Sequence, residues 1–261
     1  MKKPTTSIII LSFNNWPFTK TCISSIYQNT LSPEFEVIIV DNASKQETRN
    51  SLQKLSEEYE NLTVLNNPKN YGFAKANNQG AKLAKGDYLV FLNNDTIVSP
   101  GWLEKLLSHL QNIPDAGMVG PVTNAIGNEA KIDVDYVEPT LEAVDRIGEL
   151  RTKLFSGRYF KIKVLALFCC IIPKQLFEEI EGLDERYKIG TFEDDDLAMK
   201  IYQRGLNLYC AEDVFIHHYH GASFNKLSLT KRLILFQVNK FKFERKWRTK
   251  WEPHQNRSSN N

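Results

Sequence analysis

Three things are missing from this 261-residue chain, and each absence removes a class of protein. No apolar run approaches the ~20 residues that cross a bilayer, so no membrane-spanning helix is predicted. The early stretch Ser7-Ile-Ile-Ile-Leu11 follows a basic start, yet it is too short for a secretion signal. It leads straight into polar Ser12-Phe-Asn-Asn15 and reads as a buried strand. The four cysteines, Cys22, Cys169, Cys170 and Cys210, show neither CxxC nor metal-ligand spacing. Adjacent Cys169 and Cys170 sit in an apolar run, so buried, reduced thiols and a cytoplasmic setting are expected. No GxGxxG follows the first strand and no GxxxxGK[ST] occurs anywhere, so the dinucleotide and P-loop readings lose their main support.

What is present is the composition of an ordinary globular protein, 42% hydrophobic and 25% charged, long enough for one large α/β domain. The net charge of +2 hides an asymmetry. Residues 226–257 hold ten Lys/Arg against Glu244 and Glu252, a net +8, so the remainder carries −6. Such polarity points to an anionic partner at the C-terminus.

Strands and helices alternate from the start. Residues 6–11, 36–41, 62–65 and 88–92 are short, continuous apolar runs, the mark of strands buried on both faces. Between them, Phe18, Cys22, Ile23, Ile26 and Tyr27 line a helix entered at Pro17; Leu52, Leu55 and Tyr59 line a second. Residues 74–85 form a third, stopped by Gly86, and Ser99-Pro100-Gly101 opens a fourth. Residues 121–138 read as a long loop, 140–156 as a helix and 164–172 as a buried strand. Short helices are expected at 174–180 and 197–202, strands near 207–210 and 214–219, and a helix in the basic tail. A βαβαβαβ series implies a doubly wound, mostly parallel sheet flanked by helices, with ligands outside the carboxyl ends of the strands.

Distinctive polar groups stand at those ends: Ser12-Phe-Asn-Asn15, Asp41-Asn-Ala-Ser44, Asn93-Asn-Asp-Thr96 and, much later, Glu193-Asp-Asp-Asp196. A doubly wound protein without a glycine phosphate loop must hold phosphates another way. A divalent cation on a carboxylate, Mn or Mg, is the obvious substitute.

Five segments, SIIILSFNN (7–15), VDNAS (40–44), NYGFAKANNQG (70–80), GDYLVFLNNDT (86–96) and TFEDDDLAMKIYQRG (191–205), together resemble glycosyltransferase family 2. The resemblance spans about residues 5–224, and VGPVTNAIGNEAKI (119–132) is similar to its bacterial cell-surface, rhamnosyltransferase-like branch. It implies the GT-A fold over 1–225 with a basic aromatic segment, 226–261, appended, and an inverting, metal-dependent transfer. Carried over position by position, Phe13 with Ser12 and Asn14 meets the nucleobase and Asp41 bonds its polar edge. Asn70 and Gly72 bring backbone near the phosphates, assisted by Lys75 or by Asn77 and Asn78. Asn93-Asn94-Asp95 occupies the place of the family's DXD motif with its first Asp replaced by Asn; Asp95 is the metal ligand and Asn94 contacts ribose or water. Asp194 is the general base. One of His217, His218 and His220 completes the metal site, and the distance to Ser223 favours His218.

The resemblance further implies a UDP- or dTDP-sugar donor and a saccharide or lipid-linked acceptor of the cell envelope. The tail, with Phe236, Phe241, Phe243, Trp247 and Trp251 among its basic residues, suits either packing on the domain or peripheral contact with the inner face of the membrane. It contains no nucleic-acid recognition motif, so no nucleic-acid partner is expected. The rival readings are a nucleotidyltransferase, which usually begins with a glycine-rich basic loop absent here, and a non-catalytic sugar-nucleotide-binding relative.

Overall fold

A computed structural model describes residues 5–32, 34–187, 190–219 and 228–257. In chain order the elements are β1 (Thr6–Ser12), α1 (Trp16–Asn29), β2 (Phe35–Asp41), α2 (Gln46–Glu58), β3 (Leu62–Asn66), α3 (Phe73–Leu83) and β4 (Tyr88–Asn93). These follow the expected series closely. A less regular half succeeds them: β5 (Thr96–Val98), α4 (Trp102–Asn112), β6 (Ala116–Val122), α5 (Leu141–Phe155), β7 (Tyr159–Lys161) and β8 (Cys169–Pro173). It closes with α6 (Lys174–Glu179), α7 (Glu193–Tyr202), β9 (Asn207–His218) and α8 (Leu229–Trp247).

The strands form one sheet in the order β3-β2-β1-β4-β8-β6-β9-β5, with β7 also paired to β9. β1, β2, β3 and β4 pair in parallel, as do β6 and β9. β8 runs against both β4 and β6, and β5 and β7 run against β9. The sheet is therefore mostly parallel, with three antiparallel insertions.

Alternation along each strand divides the core in two. Ile9, Ile38, Val40 and Phe91 face the side covered by α3, α5 and α7. Ile8, Ile10, Val37, Ile39 and Val90 face the side covered by α1, α2 and α4. Each such side chain contributes about 1.5–3 kcal/mol on burial. Gly80 of α3 permits the close packing on the first side, since a Cβ there would lie 2.5 Å from Ile9 Cγ2.

Three expected elements are redrawn. The strand expected over 164–172 begins only at Cys169, because residues 164–168 bury their apolar side chains from irregular backbone. The strands near 207–210 and 214–219 are one, β9, whose register with β6 shifts between Pro121 and Val122. The helix expected from Leu197 starts at Glu193, so the acidic quartet is its first turn. All four cysteines are buried and free. Among the described residues no helix is long and apolar enough to cross a membrane.

The registers level the carboxyl ends of the strands. Ser12 pairs with Asp41, Leu11 with Asn93 and Asp41 with Asn66. β9 ends at the same edge, where His218 pairs with Thr96.

Candidate active site

Asp95 and His218 meet at that edge. The tight turn from β4 into β5 places Asp95, held by Tyr219 N donating to its carbonyl (3.0 Å) and by Thr96 Oγ1 donating to Asn93 O (2.8 Å). Asp95 Oδ1 lies 3.3 Å from His218 Nε2, and both residues are buried. The opposite ring nitrogen, Nδ1, is 3.3 Å from Ala125 O. Asn124 fixes the backbone, accepting from His218 N (2.9 Å) and donating to His218 O (3.2 Å). Phe168 stacks on the imidazole at 4.9 Å. His218 Nε2 and the Asp95 carboxylate oxygen thus face each other, a contact that a proton or cation between them stabilises. Among the described residues no third His, Cys, Asp or Glu joins the pair. A carboxylate and an imidazole nitrogen side by side could hold Mg²⁺ or Mn²⁺, with phosphate oxygens and water as its other ligands.

His217, on the alternate face of β9, turns away. Its Nδ1 is hydrogen-bonded with Tyr136 OH (2.6 Å), and burial pulls its pKa down to about 4. His220 and Ser223 lie outside the described residues. Asn94 reaches α1 rather than Asp95, donating to Thr19 Oγ1 (2.8 Å), and Asn93 Nδ2 is 3.5 Å from His218 Nε2.

The β1 and β2 ends form a second cluster. Phe13 is 37% exposed beside Ser12, whose buried hydroxyl has no hydrogen-bond partner. Asn14, at φ 56°, staples the two loops: its N donates to Ser44 Oγ (2.7 Å) and its Oδ1 accepts from Lys45 N (2.9 Å). Asp41 is fully buried; its carboxylate accepts from Ser44 N (3.1 Å) and pairs with Arg49 (3.2 Å). Geometry therefore gives Asp41 the turn-forming role.

Asn42, to which the sequence reading gave no role, is the hub joining this loop to the α3 entry. Its Nδ2 donates to Asn70 Oδ1 (2.8 Å) and its Oδ1 accepts from Tyr71 N (2.9 Å). Asn70 in turn accepts from Gly72 N (2.9 Å), and Gly72 caps α3 at φ 84° and ψ −179°, a region open essentially to glycine alone. Lys75 is half-exposed, 4.9 Å over the Tyr71 ring. Asn77 is buried and donates to Phe73 O of its own helix (3.0 Å), so it faces no ligand space.

Asp194, half-buried in the first turn of α7, accepts from Asp195 N (3.0 Å). Burial first, then the Asp195 charge, pushes its pKa up to about 7, while His254 opposes the rise. Glu193 is pushed well above the carboxylate range by burial, and its Oε2 has no hydrogen-bond partner. The rest of the quartet belongs to the tail. Trp251 Nε1 (2.9 Å) and His254 Nε2 (3.0 Å) share Asp195 Oδ1. Lys246 (2.6 Å) and Trp247 Nε1 (2.8 Å) hold Asp196, and Phe192, Phe243 and Trp251 pack behind them. These ties bridge 50 residues or more, so no local pattern announces them. The aromatic spacing of the tail was the one available signal.

The family model described as glycosyl transferase family 2 matches residues 7–180. The chain belongs to glycosyl transferase family 2. It is 29% identical over 226 residues to the Myxococcus xanthus protein named O-antigen biosynthesis protein RfbC, covering 82% of this chain and 17% of that one. Identity to an uncharacterized glycosyltransferase of Haemophilus influenzae is 30% over 200 residues, 76% of this chain and 62% of the relative. The chain thus spans less than about two thirds of the length of these family 2 relatives. In fold it is similar to the mannosyltransferase PcManGT of Pyrobaculum calidifontis, solved with GDP-Man and Mn²⁺: TM-score 0.67 at 19% identity, covering 97% of this chain and 67% of that one. The family 2 chain therefore has the GT-A architecture. Its family match ends before the acidic quartet and before β9, which carries His218.

Proposed function

We propose that this chain transfers a sugar from a UDP- or dTDP-linked donor to a hydroxyl of a saccharide or lipid-linked acceptor, with inversion, in cell-envelope polysaccharide or glycoconjugate synthesis. Residues 1–225 are the transfer unit and 226–261 a segment appended to it, working at the cytoplasmic face of the membrane. The observation that carries the reading is the approach of His218 Nε2 to the Asp95 carboxylate, 3.3 Å from Oδ1, at the carboxyl edge of the sheet. That pair fits a divalent cation, Mn or Mg, and the similar mannosyltransferase holds Mn²⁺ with its donor.

When bound, the cation supplies positive charge against that growing on the departing nucleotide diphosphate. The chain's own residues do the rest. Phe13 offers a ring face to the base, and the loop held by Asn42 and Asn70 presents the Gly72 backbone near the phosphates. Asp194, with a proton affinity near neutrality, takes the proton of the acceptor hydroxyl as its oxygen attacks the anomeric carbon. A single in-line displacement inverts that centre.

The test is thermal shift with UDP-, dTDP- and GDP-sugars, each with and without Mn²⁺. One donor is expected to raise Tm only with the metal, an effect lost in Asp95→Ala and kept in Asp194→Asn, which abolishes transfer. No metal-dependent shift with any donor overturns the donor and cation assignment. Full transfer by Asp194→Asn overturns the base.

A further inference from the structure

The inner face of α8 is fully engaged. Asn239 donates to Gly190 O (3.0 Å), Lys242 to Arg186 O (2.9 Å), and Lys246 and Trp247 bind Asp196. The outer face should then be polar, and it is not. Ile234, Val238 and Phe241, at i, i+4 and i+7, make one ridge, 59%, 46% and 65% exposed. Leu233 flanks it at 56%. Lys231 and Arg245 on α8, with Arg248 and Lys250 just beyond it, are exposed around that ridge. Glu244 is the only acidic residue within the helix.

An apolar ridge rimmed by cations matches the boundary of a bilayer, with side chains among the acyl chains and cations over anionic headgroups. A second copy fits poorly. Two-fold packing would set the ridge's cations against their own copies, and four side chains fall far short of the ~800 Å² per partner of a stable interface. We infer that the outer face of α8 docks the chain on an anionic lipid surface. The inference names the surface behind the membrane setting proposed above. It rests on α8 and stands or falls apart from the transfer chemistry.

Co-sedimentation of the full chain with vesicles tests it, comparing pure phosphatidylcholine with equal parts phosphatidylcholine and phosphatidylglycerol. Binding is expected to the anionic vesicles only, and to weaken as salt rises. The triple variant Ile234→Ser, Val238→Ser, Phe241→Ser changes only exposed side chains and should stay folded, with Tm lowered by a few degrees at most, while losing at least about tenfold in bound fraction. The pair Lys231→Glu, Arg245→Glu should lose comparably. Failure to bind anionic vesicles, equal binding to neutral ones, or a triple variant that binds like the parent overturns the inference. So does light scattering that finds a dimer dissolved by the triple variant, which would make the face a self-interface.

Discussion

The imidazole of His254 lies with Nε2 3.0 Å from Oδ1 of Asp195, joining the end of the chain to the residue beside the proposed base. The contact raises the His254 pKa, chiefly through that hydrogen bond, and the resulting positive charge holds the Asp194 pKa down. His254→Gln keeps a hydrogen-bonding group but no charge. Asp194 should then hold its proton to higher pH. The acid limb of the pH–rate profile, at about pH 7 in the parent, should move upward with the plateau rate little changed. A limb in the same place removes His254 from the control of Asp194.

Asp194 binds its proton more tightly folded than the ordinary carboxylate value of 3.8. The folded state therefore holds more protons, and this stability is present at low pH and lost as pH rises through about 7. Asp194→Asn removes that loss. Its Tm should exceed the parent's at pH 8, by about 2–4 °C for each kcal/mol recovered, and the gain should shrink at pH 5. Equal Tm differences at the two pH values contradict the shift.

Asn42→Ala should loosen the loop above β2 and the α3 entry together, because the Asn70 carbonyl and the Tyr71 N–H lose one shared partner. A cost of about 1–3 kcal/mol is expected by urea denaturation. Gly72→Ala, at φ 84°, should cost a similar 1–3 kcal/mol, of order that for any side chain forced into the region. Both should weaken the donor-dependent thermal shift more than they lower Tm.

Lys246 neutralises Asp196, which is 1% exposed. Lys246→Ala leaves that carboxylate with the Trp247 indole, the Tyr187 hydroxyl at 3.5 Å and Lys200 at 4.0 Å, and should cost about 1–3 kcal/mol. A loss below 1 kcal/mol by the same measurement would mean that the Trp247 and Tyr187 bonds suffice.

The parallel half of the sheet was legible because each strand is a continuous apolar run and each connection a helix with one apolar face. Beyond Pro121 the chain builds with antiparallel insertions. β5 and β7 have three residues each, too few to show a period, and the apolar residues 164–168 are buried without being strand. The motifs singled out Asp95, Asp194 and the histidine cluster, but nothing local could say which histidine lies against Asp95; strand alternation brings His218 to it and turns His217 to Tyr136. Asp41 and Asn77 read equally as ligands or as turn and helix residues until their carboxylate and amide were seen bonded to their own loop and helix. The Asn42 hub and the tail's hold on Asp195 and Asp196 depend on pairs far apart in sequence.

Because the partners of Asp195 and Asp196 lie at 246–254, the ribosome delivers the acidic turn long before the groups that balance it. During synthesis α7 emerges with four adjacent carboxylates and only its own Lys200, 4.0 Å from Asp196, against them. The His254 charge that holds the Asp194 proton affinity down reaches it only once residues 246–254 have packed on α7, so closing the sheet does not by itself set the charge of that turn.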